Sequence, residues 1–189
     1  MKKFLFSLLI VSVSVFASAQ QAWSNDPAHS RLGFVVKHLS IADISGNFSN
    51  FSVKVITTQP DYSDMKVTLT ANVASINTGV EMRDNHLRSA DFFDVEKYPE
   101  LKFVSTGVKK VSDKKFVLTG DLTMHGVTKP VTLDVTYNGS ALNMSKKEVF
   151  GFHITGVLNR VDFGIAPNFP AQAVSHEIRI VADAEFSKE

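Results

Sequence analysis

The chain has 189 residues, no cysteine and a formal net charge of +1 at pH 7. Nucleic-acid binding requires clustered lysine and arginine, so a nearly neutral chain with interspersed charges gives no electrostatic reason to expect it. The lack of cysteine excludes disulfides and cysteine nucleophiles. Fifteen phenylalanines stand against one tryptophan and three tyrosines. Phenylalanine has no polar group, so an interior rich in it is predicted to be either a dry core or the lining for an apolar guest.

The N-terminus has the pattern of a secretory signal peptide. Lys2 and Lys3 precede an apolar run at 4–16, and Ala17-Ser18-Ala19 supplies the small residues expected before a cleavage site. The run is shorter than the ~20 residues of a membrane-spanning helix, which makes an uncleaved anchor the weaker alternative. We therefore predict a signal peptide at 1–19, cleaved after Ala19. The remaining residues, 20–189, are predicted to form one soluble domain in the periplasm or the medium.

Most of the region after residue 19 alternates apolar and polar residues with a period of two, which is typical of an antiparallel sheet with one buried face. Asn138-Gly139 predicts a hairpin turn, because both central residues of that turn favour positive φ. About eight strands are expected, at 31–38, 47–56, 65–73, 101–104, 116–124, 131–137, 150–154 and 176–184.

Eight antiparallel strands expose their edges unless the sheet closes. Periodicity does not separate a barrel from a two-sheet sandwich, but long strands at 116–124 and 175–186 favour the barrel. We therefore predict an all-β, eight-stranded antiparallel barrel. The interior of a barrel of this size is either filled by side chains or holds one small ligand.

The connection at 77–99 breaks the alternation and is too long for a simple hairpin loop. A short helical segment is expected within 80–97, with Leu87 facing inward. Arg83 and His86 are three residues apart and would share a face of that helix. With Arg88 they are candidates for pairing with a phosphate or another anionic head group. The alternative, equally supported, is that the arginines pair with nearby acids and hold the loop in place.

Motifs for catalysis are scarce. Nucleophile elbows, phosphate-binding glycine loops and dinucleotide fingerprints are absent from the sequence. The six histidines lack the spacing of a helical zinc site, and structural roles are favoured for the three that lie in predicted strands, His38, His153 and His176. Asp26 to Ser30 is expected to form a turn around His29, and His125 to mark another turn. We expect no enzymatic activity, no cofactor and no metal, with a lipid-acting enzyme using His29 or His125 and a carboxylate as the alternative.

An apolar tunnel is the main candidate site. The inward positions of the predicted strands are rich in phenylalanine, and glycines such as Gly33, Gly120, Gly151 and Gly156 would thin the barrel wall. The predicted lining residues are Phe34, Val36, Phe48, Phe51, Val67, Leu69, Phe92, Phe103, Leu118, Leu122, Phe152, Ile154, Phe163 and Ile178.

Two stretches carry a resemblance to a known family: RDNHLRSADFFDVEKYP at 83–99 and LTMHGVTKPV at 122–131. They resemble the YceI-like family of bacterial exported lipid-binding proteins, and the match runs from Asp26 to about Phe186. The resemblance implies a lipocalin-like barrel whose tunnel holds a polyisoprenoid chain, such as a polyprenyl phosphate or a quinone tail. It also implies a periplasmic or secreted location and a possible homodimer, and it places Arg83, His86 and Arg88 in the family's most recognisable loop.

The combined prediction is an exported, non-catalytic binding or carrier protein for a polyisoprenoid or a similar long-chain lipid, including a fatty-acid-like one. Besides the enzyme alternative, a structural or stress-related protein with a solid core remains open, and an interior too small for a lipid chain would favour it. The role of the segment 164–171 as a lid also remains open.

Overall fold

The computed structural model describes residues 19–189, which are mostly strand. One α-helix, α1 (Glu81–Arg88), and two short 3-10 helices, Val73–Ser75 and Arg160–Phe163, interrupt the strands. The strands in chain order are β1 (Gln21–Asn25), β2 (Arg31–His38), β3 (Ala42–Phe48), β4 (Phe51–Thr57), β5 (Lys66–Asn72), β6 (Ile76–Asn77), β7 (Glu100–Ser112), β8 (Lys115–Met124), β9 (Val127–Leu142), β10 (Glu148–Asn159) and β11 (Val174–Lys188).

These strands close into an antiparallel barrel. The long strand β11 pairs with β10 on one side, and on its other side it pairs with β2 and then with β1. Three positions in the barrel wall are each filled by two consecutive short strands instead of one long strand. These pairs of strands are β1 and β2, β3 and β4, and β5 and β6. The ring therefore has eight strands, which confirms the predicted fold.

The alternation of the sequence corresponds to the two faces of the wall. In β8 the side chains of Phe116, Leu118 and Leu122 are buried, whereas Thr119 and Asp121 between them are exposed. Because every strand turns the same kind of face inward, the apolar residues at every second position all lie in one interior. That interior is consequently built from side chains of all eight strands.

An aromatic cluster closes one end of the barrel. The rings of Phe150 and Phe186 stack with their centroids 5.0 Å apart, Tyr62 lies 4.6 Å from Phe150, and Trp23 meets Phe150 edge-on at 4.9 Å. Edge-to-face and offset contacts of this kind stabilise a packed cluster beyond simple burial. The members of the aromatic cluster are Trp23, Tyr62, Phe116, Tyr137, Phe150, Phe152 and Phe186.

The predicted turn at Asn138-Gly139 is wrong. Both residues lie inside β9, at an irregularity in its pairing with β10, where Gly139 has a φ of 126°. The hairpin turn forms further on, where the side-chain oxygen of Asn143 accepts hydrogen bonds from the amides of Ser145 and Lys147. The asparagine-glycine pair therefore supplies the positive φ of a bulge, and the two strands extend past it.

The predicted signal peptide falls outside the described residues, apart from Ala19 at its end. Among residues 19–189, neither α1 nor the 3-10 helices are long and apolar enough to cross a membrane.

Candidate functional site

The barrel interior contains two adjoining cavities. The inner cavity has a volume of about 130 Å³ and the outer cavity about 380 Å³. For scale, an engineered cavity of about 150 Å³ is large enough to hold benzene. The two cavities share five wall residues, which we call the neck: Phe34, Phe48, Leu101, Leu158 and Ile180.

The inner cavity is almost entirely apolar and reaches the aromatic cluster, where Phe152 and Phe186 form its floor. Arg31, at the start of β2, is the single charged residue on its wall, and that residue is exposed. The predicted lining residues that border the inner cavity alone are Phe51, Val67, Leu69, Phe103, Leu118, Leu122, Phe152 and Ile154.

The outer cavity lies under α1 and beside the β2–β3 hairpin, at the barrel end opposite the aromatic cluster. Its apolar wall includes three further predicted lining residues, Val36, Phe92 and Ile178. Its wall also has five polar residues, whereas the inner cavity has Arg31 alone among the described residues. These polar residues are His38, Thr78, Arg83, His86 and Arg160.

Residues at the start of α1 hold Arg83 at the outer cavity. The guanidinium donates from Nε to Thr78 Oγ1 at 2.7 Å and from Nη2 to the Thr78 carbonyl at 2.8 Å. The buried Asp84 in turn holds Thr78. Its Oδ1 accepts hydrogen bonds from the Thr78 amide, at 2.9 Å, and from the Thr78 hydroxyl. Within the described part of the chain, Arg83 has no ion pair.

His86 is the second predicted head-group residue at the outer cavity. Its Nε2 lies 3.3 Å from Asp91 Oδ2, and its ring meets Phe92 edge-on with the centroids 4.9 Å apart. Both contacts orient the imidazole at the edge of the cavity. The side chain is half exposed, so the ring is accessible from solvent as well.

Arg88 and Phe163 border neither cavity, contrary to the sequence-based expectation. Arg88 is used inside the connection, where Nε and Nη2 donate to the carbonyls of Ala74 and Ile76, each at 2.8 Å. Phe163 ends the second 3-10 helix and is 2% exposed, packed in the core. Arg88 therefore ties α1 to the barrel wall, as the alternative reading of the loop arginines anticipated, although its partners are carbonyls and an amide side chain instead of acids.

Arg160 is a cavity residue that the sequence reasoning missed. It is 3% exposed and has no acidic partner among the described residues. Burial lowers the pKa of its guanidinium, because a low-dielectric surrounding disfavours the charged form. All five of its N–H groups are used, donating to the backbone carbonyls of Ile165, Ala166, Phe169, Val174 and Ser175.

These bonds fasten the segment 163–175 over the outer cavity, whose wall includes Phe169 and Ala173. A single arginine in an otherwise ordinary stretch gives no periodic signal. Its importance comes from five carbonyls that converge on it only in the folded chain.

A model of the YceI-like domain matches residues 23–186. The chain belongs to the YceI-like family. A UPF0312 protein from Staphylococcus aureus strain MSSA476 is 40% identical over 167 residues, which cover 86% of this chain and 95% of that protein.

The crystal structure of a YceI protein from Campylobacter jejuni is similar to this YceI-like domain, with a TM-score of 0.74 and 34% identity over 81% of this chain and 90% of that chain. A polyisoprenoid binding domain from Saccharophagus degradans, implicated in plant cell wall breakdown, has a TM-score of 0.61 at 15% identity and covers 89% of this chain and 99% of that one. At that identity the likeness is one of fold.

The two histidines proposed for an enzyme do not border the cavities of this YceI-like domain. His29 lies on the outer surface with 65% of its side chain exposed, and its Nδ1 is 3.0 Å from Asp26 Oδ2. His125 occupies a turn with a φ of 52°, where its Nδ1 lies 3.2 Å from the Phe163 carbonyl. Both positions agree with the turn assignments made from sequence.

Proposed function

We propose that this protein binds and carries a polyisoprenoid or a similar long-chain lipid, without catalysing a reaction on it. The observation that carries the proposal is an apolar inner cavity that is closed at one end and adjoins a larger outer cavity with polar groups on its wall. A lipid chain buried in it would gain about 0.8 kcal/mol for each methylene removed from water. The solid-core alternative does not account for this space.

The polar head of the ligand belongs in the outer cavity. Arg83 borders that cavity and lacks an acidic partner among the described residues, and His86 lies on the same wall. A phosphate or carboxylate accepts charge-assisted hydrogen bonds from such groups. Arg160 contributes positive charge, but its donors are already occupied by carbonyls. An anionic head, as in a polyprenyl phosphate or a fatty acid, therefore suits the site better than a neutral quinone ring.

Similarity to other proteins supports the ligand class. The Saccharophagus degradans domain, which has the same fold, is a polyisoprenoid binding domain. The N-terminal pattern of lysines, apolar run and small residues supports export to the periplasm or the medium. A homodimer, which the family resemblance implied, remains part of the proposal.

Lipid occupancy tests this function directly. The protein is purified from a lipid-replete bacterial host, and native mass spectrometry followed by organic extraction is expected to recover a long-chain lipid. Ile178→Trp fills part of the outer cavity and should lower that occupancy. Val181→Trp is the matched control, because Val181 lies on the same strand, is 37% exposed and borders neither cavity. Empty wild-type protein from such a host would refute the proposal.

One observation favours an enzyme as the second candidate. His86 borders the outer cavity, and its Nε2 lies 3.3 Å from the carboxylate of the exposed Asp91, so a histidine–carboxylate pair lies beside a concave site. Wild-type protein and His86→Gln are incubated with geranylgeranyl phosphate and with a prenyl ester, and the products are analysed by mass spectrometry. Turnover by the wild type that is lost in His86→Gln would establish the enzyme; unchanged substrates in both support a carrier.

A further inference from the structure

Two phenylalanine rings border the neck between the two cavities. Phe34 borders both cavities, and its ring centroid lies 5.8 Å from that of Phe48 on the next strand. The two remaining sides are formed by Leu101 and Leu158, with Ile180 paired across from Phe34 on β11. A chain that passes from the outer to the inner cavity must pass these two rings.

The position of the Phe34 ring depends on a glycine. Gly46 pairs with Phe34 across β2 and β3, and it is buried. A Cβ added to Gly46 would lie 2.4 Å from Phe34 Cζ, and it would lie 2.9 Å both from Phe34 Cε1 and from Thr78 Cγ2. Contacts this short do not occur, so the ring rests in space that only glycine leaves free. With any other residue at position 46, the ring would have to move away from the wall, and the open side of the wall is the lumen.

We propose that Phe34 and Gly46 determine the length of the lipid chain that the protein accepts, an inference that rests on the proposed lipid-binding function. A short chain occupies the outer cavity and does not need the neck. A long chain must extend through the neck to the aromatic cluster. From Ile180 to Phe186, six residues along β11, the inner cavity extends about 15 Å along the barrel axis for a typical rise and tilt of the strand.

The proposal defines a ligand class. The ligand is a single-chain lipid with its head at Arg83 and with a chain long and thin enough to pass the neck. A two-chain phospholipid does not fit, because the second chain would have to share a neck already bordered by two phenyl rings. Chain length is therefore selected at the neck, while the head group is selected at the outer cavity.

Chain-length dependence of binding tests the proposal. Geranyl phosphate and geranylgeranyl phosphate, which share a head group, are titrated into delipidated wild-type protein and into Gly46→Ala by calorimetry. Gly46→Ala is expected to lower the affinity for geranylgeranyl phosphate by at least about tenfold, because the end of the lipid chain stays outside the inner cavity. Geranyl phosphate is expected to lose much less affinity, because it is held in the outer cavity and does not need the neck. Any loss that the two ligands share in Gly46→Ala reports the shift of Thr78, which holds Arg83.

Two further variants separate the neck from a general loss of structure. The double variant Gly46→Ala/Phe34→Leu removes the ring that the new methyl group displaces and should restore geranylgeranyl phosphate binding. Phe34→Trp narrows the neck while Gly46 stays unchanged. It should likewise weaken the binding of geranylgeranyl phosphate more than that of geranyl phosphate. Gly151→Ala is the control, because its Cβ would lie no closer than 3.7 Å to any neighbour, and both ligands should bind it normally.

The possible failures are distinguishable. Equal loss of both ligands in Phe34→Trp and Gly46→Ala, or unchanged binding of the long ligand in both, overturns the role of the neck while lipid binding stands. Wild-type protein that binds neither phosphate overturns the proposed function itself.

Discussion

Replacing Arg160 by methionine is expected to destabilise the protein strongly. Methionine keeps much of the side-chain length but has no donor, so five backbone carbonyls lose the partner they have in the native chain. A buried polar group left unpaired costs about 1–3 kcal/mol, and removing one partner from a buried charged arrangement costs about 3–5 kcal/mol in total. Relief from burying the guanidinium offsets part of this loss. We expect a decrease of about 3–5 kcal/mol in the free energy of unfolding.

Urea denaturation measures this change, with Arg179→Met as the matched control. Arg179 is an exposed arginine on β11 that pairs with Asp43, and exposed pairs contribute about 1 kcal/mol or less. Arg160→Lys should fall between the two, because an ammonium has three donors for the five carbonyls. Hydrogen exchange of Arg160→Met should increase mainly within 163–175, the segment that the guanidinium fastens. If Arg160→Met costs no more than Arg179→Met, the five hydrogen bonds do not stabilise the segment.

Three further predictions concern the turn at His29, the start of α1 and the aromatic cluster. The hydrogen bond with Asp26 raises the pKa of His29, and the negative charge of the Asp26 carboxylate raises it further. The same hydrogen bond lowers the pKa of Asp26. The pair therefore stabilises the fold below the usual histidine pKa of about 6.5, and this contribution is lost as pH rises through the raised value. His29→Gln should lower the melting temperature at about pH 5.5 and leave it unchanged at about pH 9; an equal loss at both would contradict the assignment. Asp84→Ala leaves the Thr78 amide without its partner and should cost about 1–3 kcal/mol in urea denaturation, with exposed Asp113→Ala as a near-neutral control. Phe150→Ala, at a ring that is 1% exposed, should cost about 3–5 kcal/mol, whereas a cost below about 1 kcal/mol would show that the cluster is loosely packed.

The fold was predictable because alternation is a local property of strands. A period of two places every second residue on one face, and eight such runs without cysteine or a long helix favour a closed antiparallel wall. The same reasoning failed at Asn138-Gly139, because a dipeptide that favours positive φ suits a bulge as well as a turn. Pairing with β10, a long-range interaction, decided between them.

The position of the candidate lining residues at the cavities was also predictable, while their contact with a ligand stays a proposal. Thirteen of the fourteen predicted lining residues border one of the two cavities, since an inward position on a barrel strand faces the lumen by geometry. Phe163 was the exception, because it lies in a 3-10 helix where the period of two does not apply. Arg83 and Arg88 looked equivalent in sequence, yet a difference of five residues on α1 directs one to the cavity and the other to the Ala74 and Ile76 carbonyls.

The sequence by itself therefore determined which residues face inward, because that depends on each residue and its immediate neighbours. Tertiary structure alone decided whether the inward residues meet or leave space between them. The volume of the interior depends on how rings from different strands rest against one another, as Phe34 rests over Gly46. It depends equally on Arg160, whose five acceptors converge only when the segment 163–175 folds across the end of the barrel.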